Sequence, residues 1–482
     1  MAGRRGVTVA VTAAVATGVT GAGAAVAATV IATGTAAADG SATVTRSGRA
    51  PSRKVIQEHR LTTLGSGVRI VTEAMPSVRS VALGFWIATG SRAESEAQAG
   101  LSHLLEHLLF KGSAKYSSLE IDQIFDAMGA ELNAGTGKET TSVYARVIDE
   151  HVPEAFDVMA DMVFRPALVE IDSERAVILE EIAMYEDDPQ EKVFDLLGEA
   201  VFGDDPLGRA IIGRASVIAE TPAEEIARFH ASRYVPSNVV IAAAGAVDHD
   251  ALVELAEERT AELDRAAAGP SAPGTPTVGT ARIKFERKDT EQYHVCLGGP
   301  GISRHDDRRF ALRVLDTIFG GTSSSRLFQE IRERRGLAYA VYSFTSAYQD
   351  TGQIGLYLGT RPENVAEALA VVGSELVRVR EQAVTAEELD RAKENLKGRV
   401  VLALESTGAR MNRLGSELLA AAPLLPLDEV VERIDAVTRE DVGALVEELW
   451  APERLSAAGI GPEEAKFEEA ITAIGPALVG SK

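Results

Sequence analysis

Residues 100–113, GLSHLLEHLLFKGS, place two histidines four residues apart, with a glutamate directly before the second histidine. Five leucines recur through this stretch at helical spacing and predict an amphipathic helix with one apolar face. Because residues i and i+4 of a helix point the same way, His103 and His107 can offer imidazole nitrogens to one metal ion. The stretch therefore has two interpretations, a metal site and a core helix whose other face carries histidines.

The order of these side chains, H-x-x-E-H, reverses the H-E-x-x-H pattern of zinc-binding helices. Glu106 is displaced about 100° around the helix axis from His107 and reaches the flank of an ion held by the two histidines. Such a carboxylate can take a proton from water while the ion polarises the carbonyl under attack. A catalytic zinc also needs a third protein ligand, so the pattern predicts a further ligand elsewhere in the chain.

Residues 171–189, IDSERAVILEEIAMYEDDP, offer candidates for that third ligand. They predict a helix that stops before its final proline. Glu174 and Glu181 are seven residues apart and share one face, whereas Glu180 is turned about 100° away. The alternative interpretation is an acidic helix whose carboxylates all face solvent.

The chain is 482 residues long, which predicts at least two domains. A Gly, Pro, Ser and Thr-rich stretch at 266–280 interrupts every periodic pattern and predicts a linker between halves at 55–265 and 281–475. Residues 1–54 are rich in Ala, Val, Thr and Gly and predict a low-complexity extension or an over-long start, with an export signal as the alternative.

The two predicted halves resemble one another. Residues 308–321, RRFALRVLDTIFGG, align with residues 101–112 at an offset of 209. Strands open and close each half and helices lie between them, which predicts an α+β fold of two duplicated halves, each a mainly antiparallel sheet with helices packed on it. The second half has leucine, leucine and aspartate where the first has its two histidines and glutamate, so we expect metal only in the first half; these residues are Leu312, Leu315 and Asp316.

Net charge and cysteine content limit the binding partners and the disulfides that the chain can have. The net charge is −22, and the first 54 residues carry six basic groups and one acid, so the remainder sums to about −27. That balance predicts no binding to nucleic acid. The single cysteine, Cys296, excludes a disulfide within the chain and predicts a buried thiol. The N-terminal run lacks Leu and Phe, so we expect no stable membrane anchor and a cytoplasmic protein, or an exported one if residues 1–38 act as a signal.

His103 to His107, followed 74 positions later by Glu181 within SERAVILEEI, resembles the pitrilysin and insulinase family of zinc metallopeptidases, most of all its processing-peptidase branch. The resemblance covers about residues 55–465. It implies one Zn²⁺ per chain, held by His103, His107 and Glu181, with Glu106 as the general base. Glu174 matches a further glutamate of the family, and the resemblance implies that it supports a ligand.

Two further segments carry the resemblance. MGAELNAGTGKETTSVY implies an edge strand on which Asn133 and Ala134 receive an extended peptide, although the stretch alone favours a plain hairpin that turns at its glycines. SSRLFQEIRERRGLAYAVYS implies that Arg332 and Tyr339, seven residues apart, hydrogen-bond the substrate carbonyl and the oxyanion. Without the resemblance, Arg332 is one basic residue of a polar helix and Tyr339 is an aromatic residue of a strand.

The sequence thus predicts a zinc endopeptidase whose two halves close like a clamshell around a chamber for peptides or unfolded protein segments. The family implies a homodimer or pairing with a homologous subunit. One rival is a non-catalytic structural or partner subunit, which typically lacks the metal-binding residues. The other is a purely structural zinc site, which would need a fourth protein ligand.

Overall fold

The computed structural model describes residues 59–263, 274, 276, 281–472 and 474. The predicted extension at 1–54 and most of the predicted linker at 266–280 lie outside the described residues. The domain boundaries set by these two segments therefore stay predictions. Within the described ranges, no helix is both long enough and apolar enough to cross a lipid bilayer.

The first half of the chain builds a six-stranded sheet. Its strands are β1 (His59–Thr63), β2 (Arg69–Ala74), β3 (Ser80–Ile87), β4 (Glu131–Thr136), β5 (Thr141–Ile148) and β6 (Val239–Gly245). They lie in the order β1-β2-β6-β3-β5-β4, in which β2 and β6 are parallel and all other neighbours are antiparallel. The order leaves β4 at a free edge of the sheet.

The second half builds a five-stranded sheet. Its strands are β7 (Ile283–Arg287), β8 (Tyr293–Gly301), β9 (Ala338–Ala347), β10 (Gly352–Thr360) and β11 (Ser456–Gly461). The order β7-β11-β8-β10-β9 repeats β2-β6-β3-β5-β4 strand for strand, with the single parallel pair, β7 and β11, in the same place. The predicted α+β fold of two duplicated, mainly antiparallel halves is therefore confirmed.

Helices follow the strands in the same order in each half. Those of the first half are α1 (Leu101–Leu109), α2 (Ser118–Met128), α3 (Val152–Phe164), α4 (Ile171–Asp187), α5 (Pro189–Phe202), α6 (Ala215–Glu220), α7 (Ala223–Arg233) and α8 (His249–Thr260). Those of the second half are α9 (Arg309–Phe319), a π-helical segment (Phe328–Glu333), α10 (Val365–Glu381), α11 (Ala386–Ala403), α12 (Thr407–Leu419), α13 (Leu427–Ala436), α14 (Arg439–Leu449) and α15 (Glu464–Thr472).

The two halves exchange one helix each. Helix α5 packs across β8 and β11 of the second sheet, where Leu197 belongs to an apolar cluster with Cys296 and Tyr357. Helix α12 packs across β3 and β6 of the first sheet, where Gly415 lies so close to the Trp86 ring that any Cβ would clash. Both sheets are thereby covered on two faces, which explains the continuous apolar runs of their central strands.

A buried arginine joins the hairpin tips of the two halves. Arg92 is 3% exposed and its guanidinium lies 2.6 Å from Glu139, in the β4–β5 turn, and 2.7 Å from Asp350, in the β9–β10 turn. A charge buried in this way is stable only when it is paired, so the two turns are held together by their shared cation. The contact fixes the far end of the hairpin that contains β4.

Candidate active site

Helix α1 is the predicted amphipathic core helix, and it also carries His103, Glu106 and His107. Its apolar face is fully buried and consists of Leu101, Leu104, Leu105, Leu108 and Leu109. His103, Glu106 and His107 lie on the opposite side and are partly exposed. The leucines fix how the helix is rotated against the sheet, and that rotation points all three polar side chains the same way.

The start of α1 is held by a residue outside the helix. The Glu94 carboxylate accepts hydrogen bonds from the backbone N–H groups of Gly100, at 2.8 Å, and Ser102, at 2.7 Å. Gly100 has a left-handed backbone (φ 106°) that a side chain would strain. Burial raises the pKa of Glu94 to about 7, against the opposing effect of the two N–H groups. The carboxylate thereby satisfies N–H groups that every helix start leaves without partners.

Helix α4 packs against α1 and presents the predicted pair of glutamates to it. Glu174 is 5% exposed, and the Glu181 side chain is 30% exposed. Glu180 faces solvent, as its position on the helix predicts. Of the three acidic residues, the structure therefore brings two to the histidines.

Two imidazole nitrogens and one carboxylate oxygen converge at one point. The Glu181 Oε2 atom lies 3.7 Å from His103 Nε2 and 3.6 Å from His107 Nε2, and the three ligand atoms all lie within 4.8 Å of one another. These separations are too long for hydrogen bonds. A tetrahedral zinc with ligands at about 2.0–2.2 Å separates its donors by about 3.3–3.5 Å. The residues therefore fit a zinc ion, which leaves a fourth position open.

His107 is oriented from behind by a buried carboxylate. Its Nδ1 atom lies 3.3 Å from Glu174 Oε2, and the other oxygen of Glu174 lies 2.8 Å from Lys111 Nζ. A proton on Nδ1, bonded to Glu174, leaves the lone pair of Nε2 free on the side of Glu181. Glu174 thus sets the tautomer of one ligand, and Lys111 neutralises the charge of Glu174.

His103 is held in its neutral form. Burial lowers its pKa to about 3, and the neighbouring His107 adds to the effect. Charging an imidazole in a poorly solvated place is unfavourable, so the ring keeps an unprotonated nitrogen at neutral pH. That form is the one that binds a metal.

Glu106 lies beside the cluster and is not one of its three ligand donors. Burial raises the pKa of its carboxyl, while a hydrogen bond from Thr136, 2.5 Å from Oγ1 to Oε2, opposes the rise. A carboxylate that is partly desolvated and free of the metal is the arrangement that general-base catalysis needs. The predicted base is therefore present beside the predicted ligands.

The stretch around Asn133 and Ala134 is both an edge strand and one arm of a hairpin. Strand β4 pairs with β5, in register Asn133 to Tyr144 and Ala134 to Val143, and among the described residues no strand lies beside its other edge. Gly135 lies within the strand, not in the turn. The Asn133 side-chain oxygen accepts the N–H of Ala134 at 2.8 Å and so covers part of the free edge.

Arg332 and Tyr339 are near each other but are not joined to the cluster. The Arg332 guanidinium lies 4.4 Å from the centre of the Tyr339 ring and 4.7 Å from that of Phe328. Tyr339 is 78% exposed, on β9 at the free edge of the second sheet. In the described part of the chain, no hydrogen bond or ion pair links either residue to the metal-ligand residues. Their role at the oxyanion stays a prediction.

The equivalent place in the second half is not a metal site. Leu312 and Leu315 are buried apolar residues, and Asp316 accepts a hydrogen bond of 2.5 Å from the Ser343 hydroxyl. Among the described residues, the only group of three possible metal ligands is the one in the first half. The expectation that metal binding is confined to the first half stays a prediction.

Three residues of the site escaped the sequence analysis, namely Glu94, Lys111 and Thr136. Each contacts partners that are six to 63 residues away, and each is a residue type that is common on any surface. A buried acid shortly before a helix start is a weak signal that could have indicated Glu94. For Lys111 and Thr136, the sequence contains no such signal.

The fold is a duplicated α+β scaffold whose first half contains a group of three possible metal ligands. A family model described as Insulinase (Peptidase family M16) matches residues 69–215, and one described as Peptidase M16 inactive domain matches residues 222–396. An uncharacterized zinc protease of Streptomyces coelicolor is 47% identical over 84% of this chain and 89% of its own length. The chain therefore belongs to the M16, or insulinase, peptidase family.

Other relatives and solved structures agree. An uncharacterized zinc protease of Bacillus subtilis is 40% identical over 80% of this chain and 95% of its own length. A structure described as a peptidase M16 inactive domain from Pseudomonas fluorescens has a TM-score of 0.79 at 24% identity and covers 84% of this chain and 98% of its own. A protease from Helicobacter pylori has a TM-score of 0.79 at 23% identity, over 85% and 100%. At these identities the two structures support the fold alone.

Proposed function

We propose that the protein is a zinc-dependent endopeptidase that cleaves peptides or unfolded protein segments. The observation that carries this proposal is the convergence of His103, His107 and Glu181 beside a glutamate that is not a ligand. A structural zinc site would use a fourth protein ligand in place of an open position. A non-catalytic subunit would not need metal-binding histidines that a further carboxylate orients. The contact between Glu174 and His107 is therefore better explained by an enzyme.

His103, His107 and Glu181 would hold a zinc ion, which would polarise the scissile carbonyl as a Lewis acid and bring the pKa of water bound to it down toward neutrality. Glu106 takes the proton of the attacking water on its carboxylate. It then gives that proton to the leaving amine, so the C–N bond breaks with a neutral amine as product. Glu174 keeps His107 in the tautomer whose Nε2 faces Glu181, and burial keeps His103 unprotonated.

We propose that the substrate binds as an extended strand along the free edge of β4. Edge addition uses main-chain hydrogen bonds and therefore requires an unfolded segment. The N–H of Ala134 is held by the Asn133 side chain, which is a bond that an incoming carbonyl can replace. This mode of binding predicts activity on peptides of many sequences.

Zinc dependence and peptide cleavage are tested together on the full-length protein. We expect it to contain about one zinc per chain and to hydrolyse a quenched, unstructured peptide, because the three ligands and the base are all present. Chelation with 1,10-phenanthroline should abolish hydrolysis, and added Zn²⁺ should restore it. A protein that binds no zinc and cuts nothing would instead support the role of a structural or partner subunit.

We further propose that Arg332 and Tyr339 act at the site of a second copy of the chain, in a homodimer. The support is that Tyr339 is 78% exposed at the free edge of the second sheet and that the guanidinium of the partly exposed Arg332 lies over its ring. A guanidinium and a phenol are suitable donors for a developing oxyanion. In such a dimer, the first half of one copy would face the second half of the other.

Subunit mixing tests this arrangement. E106Q and R332A should each be nearly inactive alone, because one lacks the base and the other lacks an oxyanion donor. After the two variants are mixed and allowed to exchange subunits, about one quarter of the sites should be intact and active, by random reassortment in a twofold dimer. An unchanged, inactive mixture of exchanged dimers, or a protein that sediments as a monomer, would contradict the proposal.

A further inference from the structure

Thr136 joins the free-edge strand to the general base. It is the last residue of β4 and is 3% exposed. Its hydroxyl donates to Glu106 Oε2 at 2.5 Å, and the Ser102 carbonyl lies at the limit of hydrogen-bond distance, 3.5 Å away. A hydroxyl has one proton, and the shorter contact to a charged acceptor is the stronger bond.

The bond restricts a side chain that is otherwise poorly restrained. A glutamate carboxylate has three torsions, and Glu106 is only half-buried. With Oε2 held by Thr136, the other oxygen is the one left to exchange protons with water beside the ligand group. No ion pair to Glu106 is present among the described residues, so the restraint on its carboxylate comes from Thr136, mainly through the hydroxyl and to a smaller extent through the backbone N–H.

We propose that Thr136 is a positioning residue that fixes the Glu106 carboxylate in the orientation required for proton transfer. The proposal rests on the proposed peptidase function. It adds that β4, the strand proposed to bind the substrate, also orients the Glu106 carboxylate. Ala134, two residues earlier, lies on the same face of β4 as Thr136, because side chains alternate along a strand. Strand β4 therefore positions both the bound peptide and, through Thr136, the Glu106 carboxylate.

The alternative explanation is that the Thr136 hydroxyl has only a structural role and bonds to Glu106 because a buried hydroxyl needs an acceptor. The two explanations differ in what removal of the hydroxyl changes. A structural residue would alter stability, zinc content or KM, while kcat per zinc-loaded site would stay the same. A positioning residue would lower kcat and leave substrate binding and zinc content as they were.

The test uses three single variants of the full-length protein. T136V keeps the shape of the side chain and removes the hydroxyl, and we expect kcat to fall about 10- to 100-fold with KM and zinc content unchanged. T136S restores the donor and should recover at least about a third of the wild-type kcat. T141V is the matched control, because Thr141 is buried directly opposite Thr136 and its hydroxyl donates to the backbone carbonyl of Thr89, at 3.1 Å, and not to Glu106. Its kcat should stay within about twofold of wild type.

A double-mutant cycle completes the test. In E106Q the carboxylate is already absent, so T136V should lower the residual rate of E106Q no further. The inference is overturned if T136V cleaves as fast as wild type, if T136S is as slow as T136V, or if T136V and E106Q act independently. Failure of the proposed function is a different result, in which the wild-type protein itself does not cleave the peptide.

Discussion

Glu106→Gln should abolish peptide hydrolysis and leave zinc bound. Glutamine keeps the size of the side chain and can still accept a hydrogen bond from Thr136. It cannot take a proton from water, so we expect kcat/KM to fall about 10²- to 10⁴-fold. Zinc content should remain about one per chain, because Glu106 is not one of the three converging donors.

The measurement is peptide hydrolysis by zinc-loaded wild type and E106Q, with zinc determined by elemental analysis on the same samples. Thermal unfolding of the two proteins serves as the control for folding. An E106Q protein that cleaves within about tenfold of wild type would show that another group acts as the base. A variant that loses its zinc would mean that Glu106 is a ligand.

Glu181→Gln should lose both zinc and activity, whereas Glu180→Gln should keep both. Glu181 supplies the only anionic donor of the cluster, and its oxygen lies between the two imidazoles at 3.6 and 3.7 Å. A neutral amide oxygen is a much weaker zinc ligand, so we expect zinc affinity to fall at least about 100-fold. The next residue, Glu180, is exposed and makes an ideal matched control.

Competition with a chromophoric chelator gives the zinc affinity of each variant, and the peptide assay gives its activity. Excess zinc should restore part of the activity of E181Q, because both histidines remain in place. Equal zinc affinity in E181Q and wild type would remove Glu181 from the ligand set. A loss in E180Q as large as that in E181Q would mean that the charge of α4, and not the position of one carboxylate, is what matters.

The part of the candidate site that the sequence anticipates is local or periodic. His103 and His107 converge because they are one helical turn apart, and Glu181 separates from Glu180 for the same reason. The duplication was visible because both halves repeat one order of strands and helices. Cys296 is buried, as expected of a lone thiol in an apolar strand.

The contacts that hold the site together were not predictable in this way. The exchange of α5 and α12 depends on which sheet each apolar face meets, and an apolar face in the sequence does not specify its sheet. Lys111 and Thr136 became parts of the site only because folding places them against Glu174 and Glu106. Arg332 and Tyr339 lie close together, seven residues apart across the end of a π-helical segment, but outside the cluster.

The sequence by itself determined the class of fold and which polar side chains of α1 and of α4 share a face, because helical spacing fixes direction within one or two turns. Only the tertiary structure decided that Glu174 sets the tautomer of His107, that Glu94 holds the start of α1, and that β4 ends against the base. Those contacts join residues that are distant in the chain, and their energies arise from burial and hydrogen bonding that only the packed fold creates.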